Sequence, residues 1–188
     1  MASIQILNKE TLSDKKYPLQ YISFEKPDKE GVFHNHEREV YFRPDAVGVL
    51  LVDEGQRKIL LTKQFRLPAF LNGSDSGYLV ETCAGIIDEN ETPEQTAHRE
   101  AEEETGYQIK ELEKIASAYT SAGGITEFVH LFIANYISEK DHPKTGGLEG
   151  EDIQLIELGF DEAREKLKQG EFRDAKTIIL LQHFFMRM

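Results

Sequence analysis

Residues 85–107 read GIIDENETPEQTAHREAEEETGY, and no other stretch constrains the chain as strongly. Gly85 is followed by Glu91, then by the pairs Arg99-Glu100 and Glu103-Glu104, and finally by Gly106 and Tyr107. Thr92 is a capping residue, Pro93 suits a first helical turn, and Gly106 supplies a stop, so the spacing predicts a helix between them. Glu94 sits near the positive end of its dipole. A helix advances about 100° per residue, which places Glu100, Glu103 and Glu104 (i, i+3, i+4) on one face. Like charges so placed repel by about 0.2–0.5 kcal/mol per pair on an exposed helix. A solvated surface face would tolerate that cost. A divalent cation would offset it, and Mg²⁺ suits the face because it binds few carboxylates and keeps positions for water and phosphate oxygens.

The rest of the composition narrows the classes. At 188 residues with 39% hydrophobic content, the chain is sized for one catalytic domain with a modest extension. No apolar run approaches a membrane span, and residues 1–16 lack the basic start and apolar stretch of a secretory signal. The single cysteine, Cys83, excludes an internal disulfide framework and fits a reducing cytoplasm. A net charge of −12 argues against a nucleic-acid partner and leaves an anionic substrate to be met by metal ions at the acidic face.

Strand-like runs at residues 3–9, 19–25 and 38–43, with the turn KPDKEG at 26–31, predict a small antiparallel sheet within residues 1–43. The main domain is expected over 44–188. Strands are predicted at 46–52, 58–63, 78–83, 113–119, 127–137 and 153–158. Helices are predicted at 160–169 and from about 174 to 186. The fold class is therefore α/β, a mixed sheet between helices. Residues 142–150, with three glycines and a proline, are the expected mobile loop.

The fixed positions Gly85, Glu91, Arg99, Glu100, Glu103, Glu104 and Gly106 match the Nudix box, Gly-x5-Glu-x7-Arg-Glu-U-x-Glu-Glu-x-Gly-U, with Ala101 and Tyr107 as softer matches to its apolar positions. Nearly the whole chain resembles the Nudix nucleoside-diphosphate-sugar hydrolases, most closely the GDP-mannose pyrophosphatase branch. The segments that carry this are Arg38-Glu39-Val40-Tyr41, Lys63-Gln64-Phe65-Arg66, Asn72-Gly73, Cys83-Ala84-Gly85, residues 123–127 (GGITE), 149–153 (EGEDI) and 173–176 (RDAK). The resemblance implies Mg²⁺, with Mn²⁺ as a substitute, on the Ala84 carbonyl and on Glu100, Glu104 and Glu151. Glu103 is a candidate for a further metal. It implies substrate contacts from Tyr17, Arg38, Glu39, Arg66, Gly85, Glu127 and Lys176, and a homodimer in which the N-terminal sheets exchange.

Arg99, four residues before Glu103, is expected to hold the carboxylate face, and Glu91 to orient the loop-to-helix junction. Gly85 is expected to permit a tight turn that aims the Ala84 carbonyl at metal. The base that activates water is left between Glu151 and Glu127, with Glu104 central to catalysis. The implied reaction converts a nucleoside diphosphate sugar, GDP-mannose first, to GMP and mannose 1-phosphate. ADP-ribose is the rival substrate; Ala122 stands where that subgroup commonly carries proline, and it also departs from the Ser-Pro-Gly-Gly of the GDP-mannose branch. A non-catalytic nucleotide-binding module is the rival class, and such chains usually lose a box carboxylate. His34, His36 and His98 are not expected to bind catalytic metal, and Cys83 is expected to pack in the core.

Overall fold

The computed structural model describes residues 3–137, 145–146 (backbone only) and 152–188. The expected mobile loop therefore lies largely outside the described residues, as does Glu151. Two compact units are formed, one by Met1–Asp45 with Tyr119–Phe128, the other by Ala46–Ala118 with Val129–Met188.

The first unit carries a three-stranded antiparallel sheet of β1 (Gln5–Ser13), β2 (Leu19–Pro27) and β3 (Phe33–Tyr41). Asp28 shapes the β2–β3 turn: its Oδ1 accepts from the backbone N–H groups of Glu30 and Val32, and its Oδ2 pairs with the His34 ring at 2.8 Å. His36 stacks on Phe24. Both histidines are thus engaged within the sheet.

The second unit is a sandwich. Its mixed sheet runs β10 (Thr145–Gly146), β11 (Ile153–Gly159), β5 (Lys58–Phe65), β4 (Ala46–Asp53), β9 (Phe128–Asn135), β8 (Lys110–Tyr119), with β9 parallel to β4. Side chains of β4 alternate between two cores, as a strand's period of two requires. Val47, Val49 and Leu51 pack with Ala97 and Ala101 of helix α2 (Pro93–Thr105). Leu50 and Val52 pack with Phe160 and Ala163 of α3 (Phe160–Lys168) and with Leu180, Leu181 and Phe184 of α4 (Ala175–Met186).

One expected strand, 78–83, is in fact two. Strands β4 and β5 pair with each other only from Leu51–Leu60 to Asp53–Lys58. Beyond that point β6 (Tyr78–Glu81) pairs with β5, and β7 (Cys83–Ile86) pairs with β4. The chain crosses from one strand to the other at Thr82, whose N–H donates to Thr177 Oγ1 of α4 at 2.8 Å. An alternating apolar run cannot reveal this, because both halves keep extended backbone. A one-turn helix, α1 (Leu67–Leu71), with a proline in its first turn, was likewise not anticipated. The crossover matters because Glu81, Ala84 and Gly85 flank it.

Candidate active site

Local chemistry sets helix α2. Thr92 Oγ1 accepts from the Gln95 N–H at 3.2 Å while the Gln95 side chain accepts from the Thr92 N–H at 2.8 Å, a capping box. Gly106 closes the helix in the left-handed region at φ 73°. With Ala97 and Ala101 fully buried against the sheet, Glu100 and Glu104 are brought onto β7.

Glu104 is the buried carboxylate of the set, only 7% exposed. Its Oε2 accepts from the Ala84 N–H and its Oε1 from the Gln64 side-chain amide, both at 3.1 Å. Burial pushes its pKa up to about 7, against the lowering effect of the Cys83 thiol and those two N–H donors. The same burial, with Glu104 beside it, raises the Cys83 thiol, so Cys83 is an inert core residue.

Arg99 does part of what the spacing alone assigned to a cation. Its Nη1 donates to Glu100 Oε1 at 2.7 Å and to Glu103 Oε2 at 2.9 Å, and its Nε and Nη2 clasp Glu91. Nη2 also reaches the Ile86 carbonyl at 3.2 Å, tying α2 to β7. The Glu91 hydrogen bond is the largest influence raising the Arg99 pKa, so the guanidinium is permanently charged. Glu91, lowered chiefly by Arg99, also accepts from Thr96 Oγ1 at 2.7 Å.

Gly85 is required for a reason other than a tight turn. It lies within β7 and its φ is not positive. A Cβ built there would stand 1.8 Å from Glu100 Cδ. The missing side chain makes room for a carboxylate, and spacing alone does not disclose that long-range approach.

A second charged group flanks the crossover. Arg66 Nε and Nη2 donate to the two oxygens of Glu81 at 2.8 and 2.9 Å. Lys176 Nζ sits 2.7 Å from Asp174 and 3.8 Å from Glu81. The Glu81 fork raises the Arg66 pKa. Burial works to raise Asp174, but the Lys176 charge and hydrogen bonds from Lys176 and Thr177 outweigh it and lower that pKa. Asp174 also caps α4 by accepting from the Thr177 N–H and Oγ1. Glu81 and Asp174 were missed from sequence; a lone carboxylate closing the apolar run YLVE was the available signal for Glu81.

The remaining expected substrate residues lie in the first compact unit. Glu127 has both oxygens engaged, Oε1 by Thr120 Oγ1 at 3.1 Å and Oε2 by Arg43 Nε at 3.0 Å. Arg43, not anticipated, also covers the Tyr17 ring at 5.4 Å. Arg38 and Glu39 are exposed on β3, where Arg38 Nη1 donates to the Glu37 carbonyl.

The donor set on α2 and β7 is all oxygen and suits a hard divalent cation: a buried carboxylate short of positive partners, a second carboxylate in a glycine cradle, and an adjacent backbone. As oriented, no group of three or more Asp, Glu, His or Cys side chains converges on one point among the described residues. Arg99 draws Glu100 and Glu103 toward itself.

A family model described as the NUDIX domain matches residues 42–181. The chain belongs to the Nudix family of hydrolases, enzymes that generally act with a divalent metal. Within that family it is 41% identical to a GDP-mannose pyrophosphatase of Cronobacter sakazakii over 98% of this chain and 96% of that protein. GDP-mannose pyrophosphatases of Escherichia coli O157:H7 and Shigella flexneri are also 41% identical, over 97% of this chain and 95% of theirs. The crystal structure of an ADP compounds hydrolase shares the fold, with a TM-score of 0.73 and 20% identity over 100% of this chain and 94% of that one. No helix among the described residues is long and apolar enough to cross a membrane.

Proposed function

We propose that this enzyme hydrolyses the pyrophosphate of GDP-mannose with Mg²⁺, releasing GMP and mannose 1-phosphate. The observation that carries the reading is the buried Glu104 carboxylate beside Ala84 and Gly85 in a chain similar over nearly its full length to GDP-mannose pyrophosphatases. Glu100, Glu104, the Ala84 carbonyl and Glu151 would hold the metal, with Glu103 available to a further ion and Mn²⁺ as a substitute. When bound, the cation neutralises phosphate charge, acidifies water and stabilises the leaving phosphate.

The chain's own groups do the rest. Arg99 offsets part of the negative charge that Glu100 and Glu103 share with Glu104 on the helix face. Arg66 and Lys176 supply positive charge to the phosphoryl oxygens, while Tyr17, Arg38 and Glu39 belong to the nucleotide-sugar contacts. Water contributes one proton to the leaving phosphate and its hydroxyl to the attacked phosphorus, so no covalent intermediate is needed. We assign the base to Glu151 over Glu127, because Glu127 Oε1 already accepts from Thr120 Oγ1 and its Oε2 is ion-paired with Arg43 at 3.0 Å. The single cysteine, buried and free, supports a cytoplasmic setting.

The test is parallel hydrolysis of GDP-mannose and ADP-ribose with Mg²⁺, Mn²⁺ or EDTA, products resolved by chromatography. GMP and mannose 1-phosphate are expected as preferred products, lost in EDTA. A preference for ADP-ribose refutes the substrate, and silence on both refutes hydrolysis of either.

We also propose a homodimer exchanging N-terminal sheets, with residues 1–43 as the dimerisation extension of a hydrolase domain over 44–188. Ile4, Ile6, Ile22, Phe24 and Val40 line a groove of about 720 Å³ on the first compact unit, with Ile4 61% and Ile6 53% exposed. An apolar face of that kind calls for a cover. Light scattering should give twice the 21.5 kDa chain mass, falling to one chain for Ile6→Asp. A wild-type monomer at micromolar concentration would rule the dimer out.

A further inference from the structure

We propose that Glu81 is a positioning residue for the substrate's pyrophosphate: it touches no substrate atom and instead fixes the two cations that do. The inference rests on the reading of Arg66 and Lys176 as phosphate contacts. Its own support is the shape of the Glu81 cluster.

The Glu81 side chain is only 3% exposed, whereas the Arg66 side chain it holds is 39% exposed. Glu81 takes the Nε–Nη2 edge of the guanidinium in a two-pronged fork, which sets its plane and leaves Nη1 outside the fork. Nη1 makes no hydrogen bond among the described residues. A second carboxylate-shaped or phosphate-shaped group would meet that nitrogen with its geometry already set. Ordering an arginine beforehand removes a cost that binding would otherwise carry.

Lys176 is fixed by the same centre. Its stem lies along Gly48, where a Cβ would meet Lys176 Cδ at 3.4 Å, so the β4 glycine gives it a channel. Its Nζ then lies between Asp174 and Glu81. Two carboxylates and two cations balance, and they come from the end of β5, from β6 and from the start of α4. The Thr82–Thr177 hydrogen bond locks the last two together beside the cluster. Among the described residues Glu81 alone hydrogen-bonds the Arg66 guanidinium and also lies 3.8 Å from Lys176, so its removal leaves Arg66 only the more distant charges of Glu104 and Asp174 and leaves Lys176 to Asp174.

The experiment is a double-mutant cycle with Glu81→Gln, Arg66→Gln and the pair, read as kcat and KM on the nucleotide sugar the wild type prefers, with thermal unfolding in parallel. Glu81→Gln should lower kcat/KM by about a hundredfold, as a misplaced contact does. Arg66→Gln should do likewise, and the double variant should fall no more than about twofold below the worse single. A full Glu81→Gln loss persisting in the Arg66→Gln background overturns the positioning role. So does a folded Glu81→Gln enzyme with wild-type kinetics and only a lowered Tm. If Arg66→Gln alone is kinetically silent, the reading of Arg66 as a phosphate contact is what fails. Glu81→Asp keeps the charge and the fold but withdraws the fork by one methylene. It should show an intermediate loss, and wild-type kinetics there would also overturn the proposal.

Discussion

Glu104→Gln is expected to lower kcat by at least about a thousandfold while leaving a folded and, above neutral pH, more stable protein. Glutamine matches the carboxylate in shape, and Gln64 can flip its amide to present an oxygen to the new NH₂ group. The bond from the Ala84 N–H survives. What disappears is the negative charge at the buried end of the acidic face. Full turnover in the folded variant would remove Glu104 from the metal site.

The stability half of that expectation follows from the pKa near 7. The native carboxyl holds its proton more tightly than the unfolded chain, whose value is near the ordinary 4.5. Between those two values the folded state carries more protons, so stability falls as pH rises. The penalty is complete above about pH 7 and is on the order of 3 kcal/mol. In EDTA, the wild-type Tm should therefore drop by about 10 °C between pH 5 and pH 8, and the Glu104→Gln Tm should stay nearly level. Mg²⁺ at pH 8 should raise the wild-type value and not the variant's. A level wild-type profile in EDTA would contradict the burial cost assigned to Glu104.

How far the sequence disclosed this site depends on the range of each interaction. The capping box at Thr92 and Gln95, the Gly106 stop and the shared face of Glu100, Glu103 and Glu104 are set within a few residues, so spacing exposes them. The strand at 46–52 and its place in a mixed sheet between helices are also legible, because a short apolar run bounded by turn residues fits a strand covered on both faces. Glu81 with Arg66, Gly85 with Glu100, and Arg43 with Glu127 are different in kind. Each joins distant positions through the crossing of β6 into β7 or the return of residues 119–128, and neither crossing has a local signature. Arg99 shows the consequence. The repulsion along α2 is real, but Glu91, Glu100, Glu103 and the Ile86 carbonyl each accept a hydrogen bond from the Arg99 guanidinium, so charge counting on the helix alone overstated the need for a cation.

Gly85→Ala should separate folding from catalysis in the opposite sense to an ordinary glycine replacement. The added methyl would stand 2.0 and 2.4 Å from the two Glu100 oxygens, so the carboxylate must leave. The obstacle is the far end of a flexible side chain, and Gly85 has no left-handed φ for alanine to resist. The backbone of β7 and its pairing with β4 can stay as they are. Tm should move by no more than about 3 °C, while kcat falls by about a hundredfold and the Mg²⁺ concentration for half-activity rises. Gly170→Ala is the converse control: φ is 69° with nothing within 4 Å, so alanine there costs about 1 kcal/mol of stability and leaves kcat untouched. Equal activity in the two alanine variants would mean that the glycine at 85 serves the strand and not the Glu100 carboxylate.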